Sequence, residues 1–240
     1  LKDPDQVVLI GDSYITWISH AFPNDLAAAS GEIYPAYRNY AVAGYAMASG
    51  GLGLIPPQFD QALTDDPDIV AAVVSGGGND VLSADTNQYR DGDACKNDPN
   101  SPNIADCQAI AQRALDAFVA LLDRMANAGV KDVVYFAYPR VPAPTILGGR
   151  SPNEIVDYAR PKYKAACEGV TARTGGKLNC YFLDLVTVLD NKDGTPIMSL
   201  FAAGDIHPNT LGSTRMAEAV WAIMKKNCVA QRVSSGCCAP

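Results

Sequence analysis

Val7-Val8-Leu9-Ile10-Gly11-Asp12-Ser13 decides how the rest of the chain is read. Four apolar residues in a row spell a short buried strand. The strand runs into Gly11-Asp12-Ser13, and Tyr14-Ile15-Thr16-Trp17-Ile18 can continue as helix. A strand that ends in a tight turn and opens a helix presents one side chain at the turn, here Ser13. The Ser13 N–H would then lie among the unpaired donors of the helix start, where negative charge is stabilised. One residue would thus supply both a nucleophilic hydroxyl and an oxyanion donor. Taken alone, the tripeptide also fits a plain turn with Asp12 or Ser13 as helix N-cap.

Outward from this stretch, strands and helices alternate. Residues 14–30 read as helix in two parts, restarted at Pro23, with Asn24 or Asp25 able to cap the second part. His20 reads there as an ordinary helix residue. Arg38 to Ala43 is a second strand, ending at Gly44, where a glycine lets the backbone turn with its N–H facing a site. Pro56-Pro57 starts a helix through about Leu63, stopped by Asp65-Asp66-Pro67. Ile69 to Val74 is the third and most apolar strand. It leads into Ser75-Gly76-Gly77-Gly78-Asn79-Asp80, whose glycines leave room for close backbone approach while Asn79 projects an amide. No Gly-Lys-Ser/Thr ending follows, which argues against a phosphate loop.

Residues 83–107 are polar and turn-rich and read as a long loop, expected to wall a site or decorate the surface. Ile104 to Ala128 is the clearest helix, with Ile110, Ala114, Phe118, Leu121, Leu122 and Met125 at helical spacing and Gly129 at its end. Val133 to Ala137 is the fourth strand and leads to Tyr138-Pro139-Arg140. A helix over 153–173 is closed by Gly175-Gly176, and Cys180 to Leu185 is the fifth strand. After a loop over 199–206, His207-Pro208-Asn209 precedes a helix from Thr210 to Lys226, with Asn209 as cap; an irregular tail follows over about 229–240. Five apolar strands alternating with helices imply an α/β fold: a parallel sheet covered on both faces, a three-layer sandwich, in one domain over 1–240. Ligands of such folds sit beyond the carboxyl ends of the strands. Gly11–Ser13, Gly44, Gly77–Asn79 and Tyr138–Arg140 all fall there.

The chain is 48% apolar and 19% charged, a balance that favours folding over disorder. Its formal net charge of −7 and the lack of a Lys/Arg run exclude binding to nucleic acid by phosphate neutralisation. No apolar run reaches the roughly 18 residues of a membrane span. Seven cysteines occur, without a Cys-x-x-Cys pair, and only two histidines, His20 and His207, so neither a zinc site nor another metal centre is expected. Cys95/Cys107 and Cys167/Cys180 have disulfide-like separations, although spacing does not fix connectivity. That usage points to an oxidising, secreted or periplasmic setting, with an odd thiol left over. The numbering opens at Leu1-Lys2-Asp3, so any secretory signal is expected to be missing from it.

Acyl transfer needs a nucleophile, a base to take its proton, and donors aimed at the developing oxyanion. Ser13 can be the nucleophile. His207 stands alone as a histidine in a loop before a late helix. The Ser13 N–H, the Gly44 N–H and the Asn79 amide are the candidate donors.

These residues resemble the SGNH hydrolase superfamily, the GDSL-type esterases and lipases. Gly11-Asp12-Ser13 matches its first block, Asn39-Tyr40-Ala41-Val42-Ala43-Gly44 the second, Gly77-Gly78-Asn79-Asp80 the third and His207-Pro208-Asn209 the last. The four blocks stand in family order over residues 9–209. The resemblance implies a flavodoxin-like five-stranded parallel sheet. It also implies a Ser13–His207 acyl-enzyme mechanism with an oxyanion hole of Ser13, Gly44 and Asn79, and no cofactor. The family's last block is usually Asp-x-x-His; here Gly204 is three before His207 and Asp205 two before. Either Asp205 reaches the imidazole by a different loop path, or a backbone carbonyl near Ala203 or Gly204 does so and leaves a dyad. Asp12 and Asp80 are expected to brace loops. Tyr45, Met47, Tyr138 and Arg140 are candidates to line the substrate pocket. The substrate class implied is a short acyl or acetyl ester of a carbohydrate, or a lipid ester. An acyltransferase, or a non-catalytic glycan- or acyl-binding protein, is the rival reading.

Overall fold

The computed structural model describes residues 3–17, 21–49, 51–82, 104–142 and 153–231. His20, Cys95, Cys237, Cys238, most of the expected loop over 83–107 and the tail from 232 lie outside the described residues, as does the Cys95 end of the suggested Cys95–Cys107 bridge.

The first strand, β1 (Val7–Ile10), has every residue at 0% exposure. Its alternating side chains divide between two cores. Val8 and Ile10 join the cluster built with α3 (Pro56–Asp65), α5 (Ile104–Ala128) and α6 (Asn153–Glu168). Val7 and Leu9 join the cluster built with α2 (Phe22–Ser30) and α9 (Thr210–Lys226). The same alternation runs through β5 (Ala71–Ser75) and β6 (Asp132–Ala137): Ala72, Val74, Val133 and Tyr135 face one way, Ala71, Val73, Val134 and Phe136 the other. A strand buried on both faces must be apolar throughout, which is why these segments carry no polar stripe.

The central sheet holds β1, β2 (Arg38–Asn39), β5, β6 and β7 (Asn179–Asp184) in the order β2-β1-β5-β6-β7, all parallel. This is the expected five-stranded three-layer fold. The order reverses direction between β1 and β5, so the crevice beyond their carboxyl ends is the topological switch point. Ser13 follows β1 and Asn79 follows β5, which puts both at that crevice.

Some boundaries differ from the expectation. The second strand was expected over 38–43, yet only Arg38 and Asn39 pair as strand. The Asn39 side chain accepts the Ala41 N–H at 3.1 Å, and this local turn bends the edge segment out of the ladder. Two further bonds persist, Tyr40 N–H to Leu9 O in β1 and Val42 N–H to Gly11 O in the turn after it. A small parallel pair, β3 (Tyr45–Ala46) with β4 (Gly53–Leu54), follows where only a small-residue stretch was read. Helix α2 starts at Phe22 without a side-chain cap, so neither Asn24 nor Asp25 caps it. Asp25 instead accepts the Ser213 hydroxyl at 2.6 Å and ties α2 to α9.

Cys167 and Cys180 form a disulfide that staples α6 to β7. Cys107 and Cys228 are also disulfide-bonded, to partners outside the described residues. No described helix is long and apolar enough to cross a membrane.

Candidate functional site

Asp12 N-caps the four-residue helix α1 (Ser13–Thr16): its Oδ1 accepts the Tyr14 N–H at 3.1 Å. That cap places Ser13 at the first helical position, just past the end of β1. Asp12 is wholly buried and does more than cap. Its Oδ1 also accepts the Ser75 hydroxyl at 3.3 Å, and its Oδ2 accepts the Tyr138 hydroxyl. One carboxylate thus laces together the ends of β1, β5 and β6. Burial pushes its acid dissociation up to about 6, against the pull of the Tyr138, Tyr14 and Ser75 donors, with the Asp80 charge adding to the rise. Gly11 is packed so closely that a Cβ there would lie 2.8 Å from Ser75 O.

The Ser13 hydroxyl and the His207 Nε2 are 2.8 Å apart. On the far side of the ring, Nδ1 lies 2.7 Å from Asp205 Oδ1. An ionised carboxylate can only accept, so Nδ1 carries the proton and Nε2 is left to accept from Ser13. The tight turn Ala202–Asp205, with Asp205 N–H on Ala202 O and Gly204 at φ +70°, shortens the path that Asp-x-x-His would take. Asp205 Oδ1 also accepts the Ile206 N–H at 2.6 Å and the His207 N–H at 3.2 Å, which fixes the carboxylate against its own loop. It is therefore the Asp205 side chain that meets Nδ1.

Burial holds His207 below its ordinary 6.5, and the Asp205 carboxylate opposes that only in part. Burial acts to raise Asp205, but the His207 contact and the two backbone donors outweigh it and hold the carboxyl below its ordinary range. At neutral pH the pair is thus a carboxylate beside a neutral imidazole, the state in which Nε2 can take a proton.

The second and third sequence blocks are tied to each other. Asn79 Nδ2 donates to Tyr45 O at 2.8 Å. Asp80 Oδ2 accepts the Met47 N–H at 2.7 Å, and its Oδ1 accepts the Ala48 and Ser49 N–H groups at 2.7 and 2.9 Å. Val42 N–H on Gly11 O links this unit back to the Ser13 turn. Gly44 sits at φ +81°, a conformation that favours glycine, and its carbonyl accepts from Leu52 N–H. Its own N–H makes no hydrogen bond among the described residues. Behind the Gly77–Asn79 turn lies an apolar cavity of about 50 Å³, lined in part by Gly77, Gly78, Tyr138, Val141, Ile155 and Tyr163.

Of the expected pocket residues, Tyr45 lies half-buried in β3, with its ring against Gly53. Met47 is 1% exposed and packs in the core, so it lines no open pocket. Tyr138 spends its hydroxyl on Asp12 and stacks obliquely on Tyr14 at 4.4 Å. Arg140 grips Asp157 with Nε and Nη2 at 3.1 and 2.9 Å and Gly194 O with Nη1 at 2.7 Å. These contacts brace the segment after β6 and leave the guanidinium committed to protein groups.

Two supports were not foreseen. Gln58, on the buried face of α3, accepts the Gly11 N–H at 2.8 Å and donates to Gly11 O at 2.9 Å, clamping the turn before Ser13. The sequence signal was a glutamine among the apolar positions of α3. Trp17 stacks on His207 with ring centroids 4.1 Å apart, and no sequence pattern pointed to that.

Residues 9–215 match the family described as GDSL-like lipase/acylhydrolase. Among solved structures, the chain is similar to a GDSL-like lipase from Bacteroides thetaiotaomicron, with a TM-score of 0.59 and 13% identity over 95% of this chain and 91% of that one. A carbohydrate acetylesterase from Sinorhizobium meliloti gives a TM-score of 0.59 and 15% identity, over 91% of this chain and 97% of the other. An extracellular lipase from Streptomyces rimosus gives 0.55 and 17%, over 90% and 98%. At such identities the likeness is one of fold. No curated protein sequence matches the chain.

Proposed function

The chain belongs to the GDSL-like lipase/acylhydrolase family and is a serine ester hydrolase; we propose that it is a secreted one, acting on short acyl esters, acetylated carbohydrates foremost, through Ser13, His207 and Asp205. The observation that carries this reading is the hydrogen-bond chain from the Ser13 hydroxyl through both nitrogens of His207 to Asp205.

In this mechanism neutral His207 takes the Ser13 proton at Nε2 while the serine oxygen attacks the ester carbonyl. Asp205 keeps the ring in the tautomer this needs and stabilises the imidazolium that forms. The oxyanion is met by the Ser13 N–H, the Gly44 N–H and the Asn79 amide. His207 then protonates the leaving alcohol, and on the return leg it deprotonates the water that releases the acid.

The preference for a short acyl group is supported by the similarity in fold to a carbohydrate acetylesterase. Secretion is supported by the disulfide-bonded Cys107, Cys167, Cys180 and Cys228.

A fluorophosphonate probe tests the nucleophile. Labelling at Ser13 by mass spectrometry is expected, together with loss of p-nitrophenyl acetate turnover in folded Ser13→Ala and His207→Ala proteins. An unlabelled Ser13, or full activity in either variant, would remove the reading. A series of acyl chain lengths, run beside acetylated xylan, tests the substrate class.

A further inference from the structure

We propose that Trp17 is a positioning residue for this hydrolysis: its indole face braces the His207 ring against tilting and stabilises the imidazolium formed when Ser13 loses its proton. The inference rests on the reading of His207 as the general base.

Both ring nitrogens of His207 are already engaged, Nε2 by Ser13 and Nδ1 by Asp205. Together with the covalent attachment at Cβ, hydrogen bonds at those two points define the ring plane, but none of them bears on a ring face. Contact on a ring face adds resistance to tilting out of that plane. Trp17 supplies it: the indole and imidazole planes are 14° from parallel and their centroids 4.1 Å apart. Tyr14 borders the same ring at 5.9 Å and 43°. Trp17 is the C-cap of α1, the helix that begins with Ser13, so one short element carries both the hydroxyl and the stacking surface.

An indole face attracts a cation within about 6 Å, more strongly where water is kept out. His207 is only 7% exposed. In the reaction the Ser13 O–H bond breaks and its proton goes to Nε2. The oxygen's electron pair forms the bond to the ester carbon, and the carbonyl π pair moves onto oxygen. The ring therefore becomes cationic as the barrier is climbed, and attraction to Trp17 grows over the same interval. An interaction that strengthens in this way raises kcat rather than lowering KM.

The other titratable groups near the ring leave this role open. Asp205 is the carboxylate on Nδ1. The Tyr14 hydroxyl donates to Ile206 O at 2.8 Å. Asp12 is turned to Tyr14 N–H, Ser75 and Tyr138. Each is engaged with the partner named, and among the described residues it is Trp17 that stacks on the ring.

The test compares Trp17→Leu and Trp17→Phe with the parent by imidazole NMR titration and by kcat/KM against pH. With Leu, the His207 ionisation should fall by about 0.7–1.5 pH units, and the plateau kcat should drop about five- to thirtyfold with KM within about twofold. Phe should recover part of both. Trp17 and Trp221 are the only tryptophans, so a Trp221→Phe protein isolates the Trp17 emission. That emission should dim as pH falls through the His207 ionisation, because an imidazolium in contact quenches indole fluorescence. A rise in the ionisation with Leu would mean that Trp17 acts only as a cover against water, and would overturn the inference. So would an unchanged ionisation, or an emission that does not respond to pH. If the Leu protein does not fold, the Phe variant and the emission titration still decide. His207→Ala in the same assay tests the general base separately: turnover kept there would fault that reading and not the stacking.

Discussion

The Asp205 carboxylate reaches His207 Nδ1 at 2.7 Å from only two positions upstream, and the same oxygen accepts the backbone N–H groups of Ile206 and His207. Three donors on one oxygen make Asp205 a rigid strut. Replacement by Asn keeps the shape but offers an amide that can turn its NH₂ to the ring and favour the wrong tautomer. Asp205→Asn should lower kcat by about a thousand- to ten-thousandfold with little change in KM. A loss under tenfold in steady-state kinetics would show that the carboxylate is dispensable.

The pH profile follows from the sign of the His207 shift. In the proposed mechanism neutral His207 is the base, and burial holds its ionisation below 6.5. Activity should therefore be flat at neutral pH and fall on acidification, with a midpoint in kcat/KM below 6.5. A midpoint above 6.5 would mean that Asp205 outweighs burial.

Asp12 gives a stability test with a defined direction. Its folded value is raised from 3.8 to about 6, so the protonated form is favoured by folding. The stabilisation it contributes is full below about pH 3.8 and is lost as pH rises through about 6. Roughly two units correspond to about 3 kcal/mol. Asp12→Asn cannot ionise and should lack this slope. Urea unfolding of both proteins at pH 4 and pH 7 should show the parent losing stability relative to the variant at the higher pH.

The Cys167–Cys180 bridge closes a short loop, with a sequence separation of 13. In the chain-entropy account such a link stabilises by about 3 kcal/mol. A Cys167→Ser/Cys180→Ser double variant should lose a comparable amount in denaturant titration. It should keep its kcat if folded, because the bridge sits away from the Ser13 crevice.

The long elements were legible because their signals are redundant. Helices α5 and α9 begin and end where the sequence reading put them. Each has a long apolar periodicity and a distinct end: Gly129 at φ +95° for α5, Asn209 capping Gly212 N–H for α9. The buried strands were equally plain, since a sheet covered on both faces demands continuous apolar runs. Two-residue strands such as β3 and β4 hold no period to detect. The Ser13–His207 contact was legible only through motif order, and the role of Asp205 stayed open because a one-residue change in spacing says nothing about a turn at Gly204. Arg140 read as a pocket residue because its partners, Asp157 and Gly194, are distant in sequence. The Trp17 stack escaped for the same reason: surfaces that meet only in the folded chain leave no local trace.

The Ser13 and His207 partners stand 194 positions apart, with the last described helix packing directly after the histidine. A growing polypeptide thus makes the hydroxyl 194 residues before the group that would accept its proton. On the proposed mechanism, a translation product stopped before His207 would carry the hydroxyl without its base and would be inert.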